Sequence, residues 1–442
     1  MSLKKSVFTR SMELAKMTIK LGVKELQSGN FKSRMDQALI LTQSLTQLKG
    51  AAMKAGQLIS IEMADYFPPE AAEILAQMQN NATAIPYPLI EKSLIKELGA
   101  EKLNSLASIN QTPYASASIA QIHSAYLGSQ KVALKVQHPG VAESIDSDLA
   151  ILQKMANTFC KLTQREMDLE PLFEELKEVL RQEVDFIKEA ELLKLYKSKL
   201  QLIKNQKDFY FTPTVIDPLS TQKVLTMSWE EGENLSQWIR NSPSQKHRLQ
   251  LGHLILNLYC HEFFDWGLVQ TDPNFSNFLI RNIDDNIGLV LLDFGSTRQY
   301  DQSLVSQYVD LLKSVKKGQS KGIIESAISF GLIDDRESED SKQLFVDMMN
   351  IAIEPFAIQE GQSKTGDHKV FDFSNSDYSI RSQTVVKAFA RSLKYSAPPH
   401  RIIFLHRKLG GIFALLKRLS ISMDISNYWE LMVENKGLGR SK

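Results

Sequence analysis

The sequence predicts an α+β chain of two lobes: a small antiparallel-sheet lobe, then a helical lobe, with an N-terminal helical extension over the cleft between them. Three observations predict it. Helix-period patterning fills the chain to about residue 104, yields to period-2 alternation from 105, and returns beyond Gly295. Two acid-bearing stretches, Gln270 to Asn277 and Leu291 to Gly295, follow one apolar helix and flank a hairpin-sized interval. At 442 residues the chain can bury two or three domain-sized cores. The expected division is a helical extension over 1–104, a sheet lobe over 105–230 and a helical lobe over 231–442.

Composition narrows the function. Lys plus Arg (52) nearly balances Asp plus Glu (51), so no global field points to nucleic acid. The two cysteines, Cys160 and Cys260, lie a hundred residues apart, which fits a reducing compartment with neither a disulfide framework nor a cysteine metal site. No run of eighteen apolar residues and no secretory signal is present. The chain is therefore expected in the cytoplasm, or peripherally at the inner membrane, which in a eukaryote means the mitochondrial matrix.

Residues 5–27 mix Lys5, Arg10, Lys16, Lys20 and Lys24 with apolar residues, an imperfect amphipathic helix of a kind that lies on anionic lipid. From Gln37 to Met63 a helical pattern has a small-residue middle, Lys49 to Gln57. Gly56 there costs about 0.5 to 1 kcal/mol against Ala, which marks a close approach. Lys54 and Gln57, three apart, share a face. A further helix over Leu89 to Leu98 is closed by Gly99.

Strands follow. Ala115-Ser116-Ala117-Ser118 is a small-residue loop. Ile119 to Tyr126 and Lys131 to Val136 read as a strand pair around a Gly128-Ser129 turn. Val132, Leu134 and Val136 share one face, which puts Lys135 and Ala133 on the other. A helix from about Leu169 to Lys199 carries Glu183, Asp185 and Glu189. Glu183 falls on its apolar face beside Leu176, Val179, Leu180 and Ile187, where an unpaired carboxylate costs several kcal/mol, so a cationic partner is expected. Phe211 to Val215 and Lys223 to Met227 complete the small sheet, and Ser228 to Glu233 has the polarity of a hinge where adenine would bind.

Leu249 to Phe264 is an apolar helix stopped at Gly267, leading into Gln270-Thr-Asp-Pro-Asn-Phe-Ser-Asn277. Phe278 to Arg281 and Gly288 to Leu292 form a hairpin that folds Asp293 back beside Asn277. Two oxygen donors side by side suit Mg2+, which takes one or two protein ligands plus nucleotide phosphates. Asp272 is then the base. Spacing and order match the Asp-x-x-x-x-Asn loop and Asp-Phe-Gly of the protein kinase signature set. Gln270 and Thr271 replace its His-Arg, and no Ala-Pro-Glu follows, so a peptide-docking platform is missing. Helices are expected over 304–315, 341–353, 384–393 and 402–419, with a loop over 359–377.

Taken together these motifs resemble the UbiB-like atypical kinases, which support ubiquinone (coenzyme Q) biosynthesis. The marks are Lys-x-Gly-Gln at Lys54 to Gln57, the alanine-rich loop, Val-Ala-Leu-Lys ending at Lys135, Glu-x-Asp at Glu183 to Asp185, the Gln-Thr-Asp-Pro-Asn-x-Ser-Asn loop and Leu-Leu-Asp-Phe-Gly. The catalytic loop is most similar to mitochondrial-type and related bacterial members. Ser116 departs from the family's usual alanine, and membrane-spanning segments that several members carry are lacking. The resemblance implies ATP and Mg2+ as cofactors and an ATPase-like or small-molecule kinase activity near membranes. Ala115 to Ser118, Lys135 and Met227 would hold the nucleotide, and Asn277 and Asp293 the metal. Lys135 would pair with Glu189. Lys54 and Gln57 would act on Glu183 and Asp185 as a regulatory cover. Ubiquinone-biosynthesis enzymes or lipid intermediates are the implied partners, with an anionic membrane surface and no nucleic acid.

Overall fold

The structure, a computed structural model, describes residues 54–55, 84–162, 168–203, 207–272, 274–356, 370–374, 377–396 and 402–434. The basic helix expected at 5–27, most of that at 37–63, Gln57 and the bulk of the 359–377 loop lie outside the described residues.

Helix α1, Tyr87–Asn104, starts behind Pro86. Gly99 (φ 77°) kinks it without ending it, against expectation: the glycine breaks the ladder and a further turn resumes. Strands β1 (Leu106–Ala107), β2 (Ala115–Ser116), β3 (Ala120–Leu127), β4 (Gln130–Gln137) and, later in the chain, Val224–Ser228 form an antiparallel sheet ordered β1, β3, β4, Val224–Ser228, with β2 on β3. Pairing along β4 puts Lys135 opposite Ile122 and Leu225, and Ala133 opposite Met227. Side-chain alternation then splits the core. Val132, Leu134 and Val136 join Ile90, Leu94 and Leu98 of α1 in a small cluster, whereas Ala133 and Met227 face the main core.

Helix α2 (Val141–Leu162), which the sequence reading missed, precedes two helices where one was expected: α3 (Glu170–Glu183) and α4 (Phe186–Leu200). The cause is Asp185, whose extended backbone and side chain accepting from Lys188 N make it an N-cap. The break turns Glu189 away from the α3 axis and leaves Ile187 exposed, not on a shared apolar face. The small sheet also loses a strand. β5, Tyr210–Phe211, runs parallel to the hairpin strand at Leu289–Val290, and only Val215 bridges to Met227, because Pro213 has no N–H for a ladder. The Val224–Ser228 strand is β6.

The hinge leads through β7 (Glu233–Asn234) and α5 (Leu235–Arg240) to α6 (Gln245–Cys260), then a π-helical turn at His261–Trp266. Gly267 ends it at φ 59°. A Cβ there would press into the Tyr300 carbonyl, and Tyr300 N donates to Gly267 O at 2.7 Å. Gly267→Ala combines left-handed strain with that clash, so a loss of about 2 to 3 kcal/mol is expected, read as a lowered thermal midpoint. A midpoint equal to wild type would show that this turn relaxes freely. Beyond it lie β8 (Leu268–Gln270), the hairpin β9 (Phe278–Ile283) and β10 (Asn286–Leu291), and β11 (Thr297–Gln299) paired with β8.

Helices α7 (Gln302–Lys316), α8 (Ser320–Ser329), α9 (Glu339–Ile353), α10 (Tyr378–Ser392) and α11 (Ile403–Arg418) build the rest of the helical lobe. All but α8 were expected from periodicity. No helix among the described residues is long and apolar enough to cross a membrane.

Candidate active site

The β9–β10 hairpin places Asp293 at the end of a buried strand, with Leu292 N donating to Asn277 O at 3.1 Å. Asp293 Oδ1 accepts from Lys135 Nζ at 3.0 Å and from Gly295 N at 3.1 Å. Lys135 Nζ also donates to Glu189 Oε1 at 2.6 Å, so one ammonium from β4 bridges a carboxylate of α4 and one of the helical lobe. Burial alone would lower the Lys135 pKa, but the charges of Asp293 and Glu189 overcome it and hold the group above the usual lysine range. Against its own burial, Asp293 is held below the usual carboxylate range by Lys135 and Lys54. Glu189, only 1% exposed, goes the other way: burial pushes it up to about 7 despite Lys135.

Asp272 lies in the same cleft. Its Oδ2 accepts from Asn277 Nδ2 at 2.9 Å, which fixes the amide so that its oxygen points elsewhere. Its Oδ1 accepts from Arg407 Nη2 of α11 at 3.3 Å. Arg407 escaped the sequence reading because nothing local ties residue 407 to residue 272; a basic pair, Arg407-Lys408, in a largely apolar stretch of helix was the available signal. The Asp293 carboxylate with the free oxygen face of the Asn277 amide is a donor set that suits a hard divalent cation. No cluster of three His, Cys, Asp or Glu is present among the described residues, so such a cation would rest on these two and on phosphate oxygens.

Above the cleft, Ala115 and Ser116 pair with Ile122 and Gln121, and Ala117 N donates to Ala120 O at 2.8 Å, closing a tight turn. Ser118 is buried, and the Ser116 hydroxyl is buried without a hydrogen-bond partner among the described residues. Met227 lies buried on the cleft side of the sheet beside Ala133. The hinge is tied to the helical lobe by Arg281, which donates to Glu230 Oε2 at 2.7 Å and Glu231 O at 3.1 Å.

A second carboxylate cluster flanks the first. Glu183, 4% exposed, accepts from Ser296 Oγ at 2.6 Å and pairs with Lys54 Nζ at 3.1 Å. The charges of Glu183, Asp272 and Asp293 raise the Lys54 pKa against the burial that would lower it. Asp185 takes no share in the pair, being spent on the α4 cap. Gln182 Nε2 reaches Gly295 O at 3.2 Å and Thr297 O at 2.5 Å, so α3 grips the segment after Asp293 on both sides. Neither Gln182 nor Ser296 was singled out by sequence.

Comparison with known proteins agrees with this geometry. Residues 77–327 match the ABC1 atypical kinase-like domain family. The chain is 32% identical over 419 residues to the atypical kinase COQ8, mitochondrial, of Saccharomyces cerevisiae, covering 92% of this chain and 80% of that one. It is 30% identical to the atypical kinase coq-8, mitochondrial, of Caenorhabditis elegans, spanning 90% of this chain and 51% of the longer worm protein. Among solved structures, the Mycobacterium tuberculosis protein Rv3197, determined with erythromycin, aligns over 97% of this chain and 98% of its own at a TM-score of 0.57 and 22% identity, a likeness of fold. With a kinase-like cleft and a family match over more than half its length, the chain belongs to the ABC1 atypical kinase-like family.

Proposed function

We propose that the chain binds Mg-ATP and turns it over as an atypical kinase or ATPase that supports ubiquinone biosynthesis, without acting as a protein kinase in trans. The observation that carries this reading is the Lys135 ammonium held between Glu189 and Asp293, with Asp272 and Asn277 hydrogen-bonded beside it. The division at 104 and 230 is proposed with it: a cover, a nucleotide-binding lobe and a catalytic lobe.

In this reading Lys135 places its charge on nucleotide phosphates, oriented by Glu189. The Ala115 to Ser118 turn and Met227 wall the nucleotide, and the Ser116 hydroxyl supplies a donor that is otherwise unspent. Asn277 and Asp293 would hold Mg2+, which when bound offsets charge on the phosphates. Asp272 orients the attacking hydroxyl or water, and Arg407 holds that carboxylate in place. Lys54, paired to Glu183, closes the side where a peptide would otherwise approach. The ubiquinone assignment leans on the family resemblance and on the mitochondrial atypical kinases that share about a third of the sequence.

Phosphate release from Mg-ATP by the purified chain tests turnover. Asp272→Asn is expected to bind nucleotide as wild type does and to lose about 100-fold in turnover, since the base acts on the acceptor and not on the metal. A variant with full turnover would remove Asp272 from the role. Deleting the gene and profiling quinones tests the pathway: one early precursor should accumulate, and an unaltered quinone profile would overturn the assignment.

A further inference from the structure

Beneath the catalytic loop lies an ion pair that none of the roles above uses. Glu262, in the π-helical turn, is fully buried, and Lys408 of α11 is 7% exposed and bonded to its Oε2. The pair does more than neutralise itself. Glu262 Oε1 accepts from Gln270 N at 3.0 Å, and Lys408 Nζ donates to Gln270 O at 2.7 Å. Both main-chain groups of the residue two before Asp272 are therefore held by one buried pair. Tyr196 of α4 adds its hydroxyl to Glu262 Oε1 at 2.6 Å, from the helix that carries Glu189. A small cavity is lined both by the pair, with Gln270, and by Asn277 and Asp293, the residues assigned to the metal.

Stability does not account for such a pair. Removing two charges from water costs several kcal/mol per ion, and apolar replacements of buried pairs are often neutral or stabilising. What apolar residues could not supply is simultaneous bonding to the N–H and C=O of Gln270, whose position in an ordinary kinase loop belongs to a histidine. π-Bulges such as the one carrying Glu262 are frequent at functional sites.

We propose that Lys408 and Glu262 form a positioning pair that sets the catalytic loop by gripping Gln270 at both main-chain groups, so that Asp272 and Asn277 meet the nucleotide in register. The Lys408 neighbour Arg407 touches Asp272 directly, so α11 fixes the loop at two successive points. The effect on turnover rests on the reading of Asp272 as catalytic; the effect on the Gln270 main chain does not.

Three variants, read by thermal midpoint, amide exchange and turnover, test it. Lys408→Met leaves Glu262 without its cation and is liable to unfold, so it is compared with the double variant Glu262→Gln/Lys408→Met, which removes both charges. In the double variant the thermal midpoint should return close to wild type. Amide exchange across 268–272 should nonetheless be faster by about tenfold, the loss of one hydrogen bond. Turnover should stay about 100-fold down with Mg-ATP affinity nearly unchanged, a loss confined to kcat. Lys408→Arg, which keeps a cationic donor, should recover part of the turnover. Wild-type exchange across 268–272, or turnover that recovers in step with the midpoint, would overturn the proposal. A wild-type chain that releases no phosphate would sink the proposed function instead, and the exchange arm would still decide whether the pair holds the loop.

Discussion

Asp293→Asn is expected to abolish the stabilisation that Mg-ATP confers, while leaving the unliganded fold intact. Asp293 sits at the end of a strand whose neighbours Leu289, Val290 and Leu291 are buried, so an isosteric amide should not disturb the hairpin. What it removes is charge. The carboxylate accepts from Lys135 and Gly295 through Oδ1 and is held below the usual carboxylate range, so it is fully ionised at neutral pH and is the charged half of the donor set shared with Asn277. At a ligand concentration a hundred times the dissociation constant, binding stabilises by about 2.7 kcal/mol, and the variant should forfeit nearly all of it. Thermal shift with ATP, with and without Mg2+, reads this directly. A variant that still shifts as wild type does with Mg-ATP would take the metal away from Asp293.

Lys54→Ala is expected to have the second largest effect, on the cover and not on the fold as a whole. Among the described residues Glu183 is buried with two partners, the Ser296 hydroxyl and the Lys54 ammonium. Without the ammonium, a buried carboxylate keeps a single neutral donor, at a local cost of up to about 3 to 5 kcal/mol. Cleavage around Lys54 by a non-specific protease should accelerate. Nucleotide handling should change as well, including autophosphorylation that the wild type suppresses, because Lys54 also lies within the field of Asp272 and Asp293. The control is Glu183→Gln: if the pair is the cause, the double variant loses far less than the sum of the singles. Additive losses, or unchanged proteolysis, would reject the cover.

The parts legible in sequence are those written by local spacing. Lys135 was found because alternation along its strand assigns its face, and Asp272, Asn277 and Asp293 because a tight loop and a short hairpin allow few arrangements. Glu183 was found by a misfit, a carboxylate on an apolar stripe. The helix break between Glu183 and Glu189 was also written locally, in Asp185 as an N-cap, but a continuous apolar period hid it. Arg407, Lys408 and Glu262 were not legible for a different reason. Their partners lie up to 146 positions away, and no periodicity links residues brought together only by packing of α11 against the loop. The stretch Phe211 to Val215 misleads similarly: a strand's composition says that it pairs, not with which sheet.

The dependence of the catalytic loop on α11 has a consequence for how the protein is made. Synthesis proceeds at about 5 to 20 residues per second, so between the emergence of Asp272 and that of Arg407 and Lys408 about 7 to 27 seconds elapse. During that interval the nascent chain carries the small sheet but lacks the basic residues that contact the loop. Gln270 can then bond to Glu262 and Asp272 to Asn277, but neither has its contact from α11. A chain still on the ribosome, or one stopped short of α11, therefore lacks the Arg407 and Lys408 contacts to Asp272 and Gln270. Such contacts of high sequence separation also form late in folding and slow it.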